Sequence, residues 1–210
     1  MKLIGIAGSS GKTSVAEIVY QYLLYKKINV SLYSSNGLFI NGLTREKDFF
    51  QTTVYGKDLN KLLKEDKECG VDYAIIEITA ESVKRGDIVH KLPYEVIGFT
   101  NFLKGLHNHF NGIDDYLNCK REILSNENAK KILLRLEDPN YAMFSDINHE
   151  TYGYGEQAKY RLQVIDNTID GLKLFYLGVK FTSNLITAYH ARNLACALAI
   201  LSAVNVLDMQ

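Results

Sequence analysis

Hydrophobic and polar positions along the chain alternate between short β-rich runs and longer stretches at helical spacing. Residues 2–7 (KLIGIA) form an apolar run of strand length, after which Val15, Ile18, Val19, Tyr22 and Leu23 recur with the helical period. A second strand is predicted over 29–34, ending at the turn signal Asn36-Gly37, and a charged amphipathic helix over 57–68. The run VDYAIIEI at 71–78 is almost continuously apolar, as expected of a central strand covered on both faces. A helix over 81–90, a strand over 95–100, a helix over 114–124 and a strand over 131–136 follow. Beyond residue 160 the texture changes: 160–186 reads as a small antiparallel ribbon around Asp170-Gly171, and 189–206 as a closing helix. The pattern predicts one α/β domain over 1–210, with a mainly parallel, doubly wound sheet and the antiparallel ribbon in its C-terminal part.

Composition narrows the class of function. At 47% hydrophobic and 23% charged residues the chain has the balance of a globular protein, which excludes disordered and fibrous classes. Lys plus Arg and Asp plus Glu both number 24, so no basic surface for nucleic acid is expected. Cys69, Cys119 and Cys196 form no CxxC pair, which argues against a disulfide framework or a zinc knuckle and for a reducing, cytoplasmic setting. The apolar stretch 194–204 falls short of the roughly 20 residues that span a bilayer, and the first residues lack a secretory core segment. No membrane association is expected.

The strongest chemical signal is GSSGKTS at 8–14, between a predicted strand and a predicted helix. Glycines let the backbone turn tightly enough for successive N–H groups to face phosphate oxygens, and the helix N-terminus adds a favourable dipole. Gly8, Ser9, Ser10, Gly11, Lys12, Thr13 and Ser14 are therefore the candidate phosphate-binding residues. Lys12 would bridge the β- and γ-phosphates and Thr13 would bind Mg²⁺. The strict P-loop pattern has glycine at position 6, where this chain has Ile6. A P-loop alone does not separate ligases from kinases or from non-catalytic nucleotide-binding modules.

Five segments together go further: GIAGSSGKTS at 5–14, IEITAESVKRG at 76–86, FTNFLKGLHNHFNG at 99–112, DDYLNCKREIL at 114–124 and AYHARNLACALA at 188–199. In this order they resemble the central ATP-binding domain of the Mur ligase family, and within it the UDP-N-acetylmuramyl-tripeptide ligases of peptidoglycan synthesis. The resemblance implies an ATP-dependent carbon–nitrogen ligase that converts a carboxylate to an acyl phosphate, which an amino-acid amine then attacks, with ATP and Mg²⁺ as cofactors. By the same resemblance Lys12, Glu77, His107 and Lys120 are the catalytic set, and Glu77, His107 and Lys120 join Thr13 around the metal. Lys120 would act as a carbamate, although a helix lysine more often sits in solvent. His109 follows His107 in an HxH pair, but no further ligand supports zinc. Asn193, with His190 before it, would meet adenine. Thr52, Thr53, Thr79 and Arg85 would contact the substrate, a carboxylate acceptor such as a UDP-sugar peptide. Complete members have three domains, so a partner supplying the C-terminal domain is expected.

Overall fold

Lys2–Ala7 (β1) buries five successive residues because it has a strand on either side and helices above and below. A computed structural model of the chain describes residues 1–45, 56–105, 109–125, 127–184 and 187–208. In chain order the further strands are Val30–Ser34 (β2), Gly37–Ile40 (β3), Leu43–Thr44 (β4), Tyr73–Glu77 (β5) and Tyr94–Phe99 (β6). Ile132–Arg135 (β7), Glu150–Gly153 (β8), Tyr160–Thr168 (β9), Gly171–Tyr176 (β10) and Val179–Ser183 (β11) complete them. They join in one sheet of order β11-β10-β9-β8-β7-β6-β1-β5-β2-β3-β4. The stretch from β2 to β9 is parallel throughout, and antiparallel hairpins extend both ends.

Helices cover both faces. Lys12–Tyr25 (α1) and Ala188–Ala203 (α5) pack on one, and Gly56–Glu68 (α2), Ala80–Lys84 (α3) and Ile113–Ile123 (α4) on the other. Successive strand side chains point to opposite faces, so Ile4 and Ile6 join Val15, Val19 and Leu23, whereas Leu3 and Ala7 join Leu62, Tyr116 and Ile123. This is the doubly wound architecture expected from the alternating pattern. Among the described residues no helix is long and apolar enough to cross a membrane.

Local differences have local causes. The helix expected over 81–90 splits: α3 ends at Lys84 with Arg85 as its C-cap, Gly86 takes a φ of +74°, and a 3-10 turn, Val89–Lys91, follows. The ribbon has three strands because Leu177-Gly178 supplies a second turn, with φ of 48° and 87°. Ile6 is a fully buried β1 residue, and the bend starts at Gly8 instead. The C-terminal ends of β5, β1 and β6 lie side by side, where open α/β sheets place their ligands.

Candidate nucleotide and metal site

The chain leaving β1 bends through Gly8 (φ +133°) and Gly11 (φ +79°) before α1 begins. A Cβ on Gly8 would overlap Thr100 Oγ1, and one on Gly11 would lie 2.5 Å from Asn193 Oδ1, so both positions require glycine. The end of β6 holds the loop in shape. Ser9 N–H donates to Asn101 O (2.9 Å), Ser10 N–H to Asn101 Oδ1 (3.1 Å), and Thr100 Oγ1 and Asn101 Nδ2 donate to Ser10 O (2.6 and 3.0 Å). From the other side α4 contributes Tyr116, whose hydroxyl shares a 2.8 Å hydrogen bond with Ser9 Oγ. The first turn of α1 carries no acidic residue and no side-chain cap, so nothing there opposes the attraction of the helix dipole for an anion.

Two lysines meet at one carbonyl. Lys12 Nζ donates to Gly8 O (3.2 Å) and Ser9 O (3.4 Å), and Lys120 Nζ, reaching in from α4, donates to the same Gly8 O at 2.8 Å. Lys120 is not the solvent-facing helix lysine that residue type suggests: it is 2% exposed and lies over the Tyr116 ring, 5.1 Å from its centroid. Burial pushes its pKa down to about 7, the Lys12 charge adds to this, and Glu81 opposes it. Burial also lowers the Lys12 pKa, against the pull of Glu77 and Glu81.

An unfolded chain keeps Lys120 protonated up to its ordinary 10.5, whereas the folded chain releases that proton near 7. Folding stability is therefore expected to rise with pH across that interval, and Lys120→Met to flatten the rise. Urea unfolding at pH 7 and pH 9 measures it; an unchanged slope in the variant would show that Lys120 does not titrate there.

Glu77 ends β5 and is 1% exposed. Its carboxylate accepts from Ser35 N–H (Oε1, 3.1 Å) and Thr13 Oγ1 (Oε2, 3.2 Å), and Thr13 and Ser35 hydroxyls share a 2.7 Å bond. Burial raises the Glu77 pKa, while Ser35, Thr13 and Lys12 hold the rise back. A buried carboxylate and a hydroxyl beside a phosphate loop fit Mg²⁺, which takes one or two carboxylates and completes its shell with phosphates and water. Among the described residues no cluster of three or more His, Cys, Asp or Glu side chains offers an all-protein cage. Glu77→Gln keeps the shape and removes the charge. It is expected to abolish most of the gain in ATP affinity that Mg²⁺ confers, leaving metal-free affinity within about twofold. Calorimetry with and without Mg²⁺ decides, and equal losses in both conditions would remove the metal role.

Ser14 and Asn193 line a cleft of about 420 Å³ beside the loop, together with Ser10, Gly11, Phe102, Arg135, Asn140 and His190. Thr79 caps α3, accepting from Ser82 N–H at 3.2 Å, and is buried. Arg85 lies at the far end of that short helix, in an ion pair with Asp87 at 3.2 Å. Thr52, Thr53 and His107 fall outside the described residues. Sequence reasoning did not single out Ser35, Asn101 or Tyr116 as site residues. The polar pair Thr100-Asn101, directly after an apolar strand, is the signal that could have pointed to the loop clamp.

Fold and loop geometry together define an α/β domain of the P-loop type. Residues 6–201 match the Mur ligase middle domain, and the chain belongs to this family. It is 28% identical over 225 residues to the UDP-N-acetylmuramyl-tripeptide synthetase of Borrelia garinii subsp. bavariensis, covering 100% of this chain and 44% of that protein. To the UDP-N-acetylmuramoyl-L-alanyl-D-glutamate–2,6-diaminopimelate ligase of Alkaliphilus oremlandii it is 27% identical over 187 residues, 86% of this chain and 36% of the relative. The chain thus spans less than half the length of these curated relatives. Among solved structures, a UDP-N-acetylmuramoyl-L-alanyl-D-glutamate–2,6-diaminopimelate ligase superposes with a TM-score of 0.83 at 16% identity, over 100% of this chain and 44% of that one. A bifunctional folylpolyglutamate synthase/dihydrofolate synthase with Mn, AMPPNP and L-glutamate bound gives 0.69 at 16% identity, over 100% and 55%. At such identities these structures speak for the fold.

Proposed function

We propose that the chain is the ATP-binding domain of an ATP-dependent acid–amino acid ligase acting in cytoplasmic peptidoglycan-precursor synthesis. The observation that carries this reading is the meeting of Lys12 and the buried Lys120 at the Gly8 carbonyl, one strand away from buried Glu77. A kinase or a passive nucleotide-binding module has use for Lys12 and Glu77, but neither explains a second desolvated lysine on the loop. Family membership and the synthetase and ligase names of the relatives support the same choice.

In this reading the N–H groups at the start of α1 and Lys12 hold the β- and γ-phosphates. A carboxylate oxygen of the acceptor attacks the γ-phosphorus, the bond to the bridging oxygen breaks, and ADP leaves. The amine nitrogen of the incoming amino acid then attacks the acyl carbon, phosphate departs with the C–O bond electrons, and the nitrogen loses a proton to solvent. Thr13 and Glu77, with His107 as a further ligand, would hold Mg²⁺, which would supply positive charge that offsets repulsion between triphosphate and carboxylate. A Lys120 amine with a pKa near 7 is nucleophilic enough to add CO₂, forming an N–C bond and releasing a proton. The resulting carbamate would orient the metal or its waters. Asn193 meets adenine, and Thr52, Thr53, Thr79 and Arg85 meet the acceptor, for which a UDP-sugar peptide is the proposed class. The amino-acid site would come from a domain or partner outside these 210 residues.

The deciding experiment measures ADP release with a UDP-muramyl peptide acceptor, with and without an amino acid, after adding the C-terminal domain of a related ligase in trans. Amine-dependent ADP release supports the ligase. A stable phosphorylated product indifferent to amine would establish a kinase, and Mg-ATP binding without turnover a binding module.

A further inference from the structure

The cleft beside the phosphate loop has a wall whose chemistry the ligase reading leaves unused. Arg135 ends β7 and is 8% exposed. Its guanidinium carries five N–H donors, yet among the described residues its hydrogen bonding consists of Nη2 to Asp138 Oδ2 at 3.3 Å. Nε is buried without a partner. A void of about 10 Å³ lined by Arg135, Phe99, Leu134 and Phe144 has room for one water at most.

Asp138 is itself held by other donors. Its Oδ2 also accepts from Phe102 N–H (3.3 Å), its Oδ1 accepts from Asn140 N–H (2.9 Å), and Asn140 Nδ2 donates to Phe102 O (2.9 Å). These bonds tie 101–103 to 138–140 as one rim of the cleft and hold the guanidinium against it. Across the cleft α5 presents Tyr189, His190, Arg192 and Asn193, with the Arg192 guanidinium 5.3 Å from the Tyr189 ring centroid. The walls are rich in donors, and the one carboxylate lining them is already engaged.

A desolvated donor without an acceptor costs stability, and native proteins retain few of them. Arg135 also lines the open cleft, and its unspent guanidinium donors are explained if a ligand there brings the acceptor. Lys12, Thr13 and Glu77 do not line this cleft; Ser10, Gly11 and Ser14 line its end at the loop, and Asn193, which meets adenine in the ligase reading, lines it as well, so the nucleoside is the part that reaches Arg135 in that reading.

We propose that Arg135, held in place by Asp138, is a specificity-determining residue that donates a hydrogen bond to an acceptor atom on the nucleoside part of the bound nucleotide. The inference rests on the nucleotide reading of the phosphate loop and extends it to a residue that the loop does not contain.

The test compares Mg-ATP, Mg-UTP and Mg-tripolyphosphate binding by calorimetry for the native chain, for Arg135→Lys, and for the double variant Arg135→Met with Asp138→Asn. The lysine variant keeps a cation opposite Asp138, and the double variant leaves no buried carboxylate uncompensated. Both are expected to bind ATP about tenfold or more weakly and tripolyphosphate within about twofold of the native chain. Equal losses for ATP and UTP would place the acceptor on the ribose, and a larger loss for ATP on the base. Unchanged ATP affinity would overturn the proposal, as would ATP and tripolyphosphate weakening together, which marks a purely structural residue. If the native chain binds none of the three, the nucleotide reading itself falls and this inference with it.

Discussion

Lys12→Ala is expected to weaken Mg-ATP binding by roughly 100-fold, about 3 kcal/mol, the range in which removing one partner of a desolvated, hydrogen-bonded charge pair falls. The folded chain should survive the change. Among the described residues Lys12 donates to carbonyls of its own loop alone, and the loop is held by Thr100, Asn101 and Tyr116, none of which contacts the ammonium by hydrogen bond. Removing one of two cations that share the Gly8 carbonyl also relieves repulsion, and Lys120, whose pKa the Lys12 charge depresses, should titrate higher in the variant. Calorimetry for affinity and a thermal melt for stability are sufficient. Undiminished ATP affinity would refute the phosphate-loop assignment, and a melt lowered in step with affinity would show that the lysine is structural.

Gly8→Ala should do the reverse and injure the fold first. A methyl group there would overlap Thr100 Oγ1 and stand 3.0 and 3.1 Å from the backbone nitrogens of Thr100 and Asn101, at a φ of +133° that L-residues rarely adopt. Strain and overpacking of this kind cost roughly 2–4 kcal/mol, or roughly 5–15 °C in Tm for a chain of this size. Nucleotide binding should be lost as well, because the loop can relieve the overlap only by moving off the end of β6. A melt within about 2 °C of the native chain would mean that the bend tolerates a side chain and that the Thr100 contact is not tight.

The parts of the fold legible in sequence are those whose pattern is long or uninterrupted. β1, β5 and β6 read as apolar runs because both faces are covered, and α1 reads through its recurring apolar side chains. β3, β4 and β8 have only two to four residues each, too few positions for a period to emerge. α3 looked longer than it is because the residues after Gly86 remain compatible with helix, while the glycine's left-handed conformation turns the chain away.

The site divides in the same way. Gly8, Gly11, Lys12 and Thr13 are consecutive enough to form a motif, and Glu77 stands at the visible end of an apolar strand. Lys120 could have been recognised as buried: Tyr116, Cys119, Lys120 and Ile123 follow the i, i+3, i+4, i+7 spacing of one helix face, and all four are buried. The clamp from Asn101 to Ser10 joins residues 91 apart, and that from Tyr116 to Ser9 residues 107 apart. Such long-range polar contacts leave no trace in local periodicity. Arg135 was hidden for a similar reason, since a lone arginine after three apolar residues reads as a strand reaching solvent.

The hydrogen bonds that join Asn101 and Thr100 with the backbone of Ser9 and Ser10 draw on no ligand. The bend consequently holds its curvature before any guest arrives, and little chain entropy is left to lose at the encounter. Discrimination at this end of the molecule then comes from rigid shape, with the ordering cost already met when the polypeptide folds.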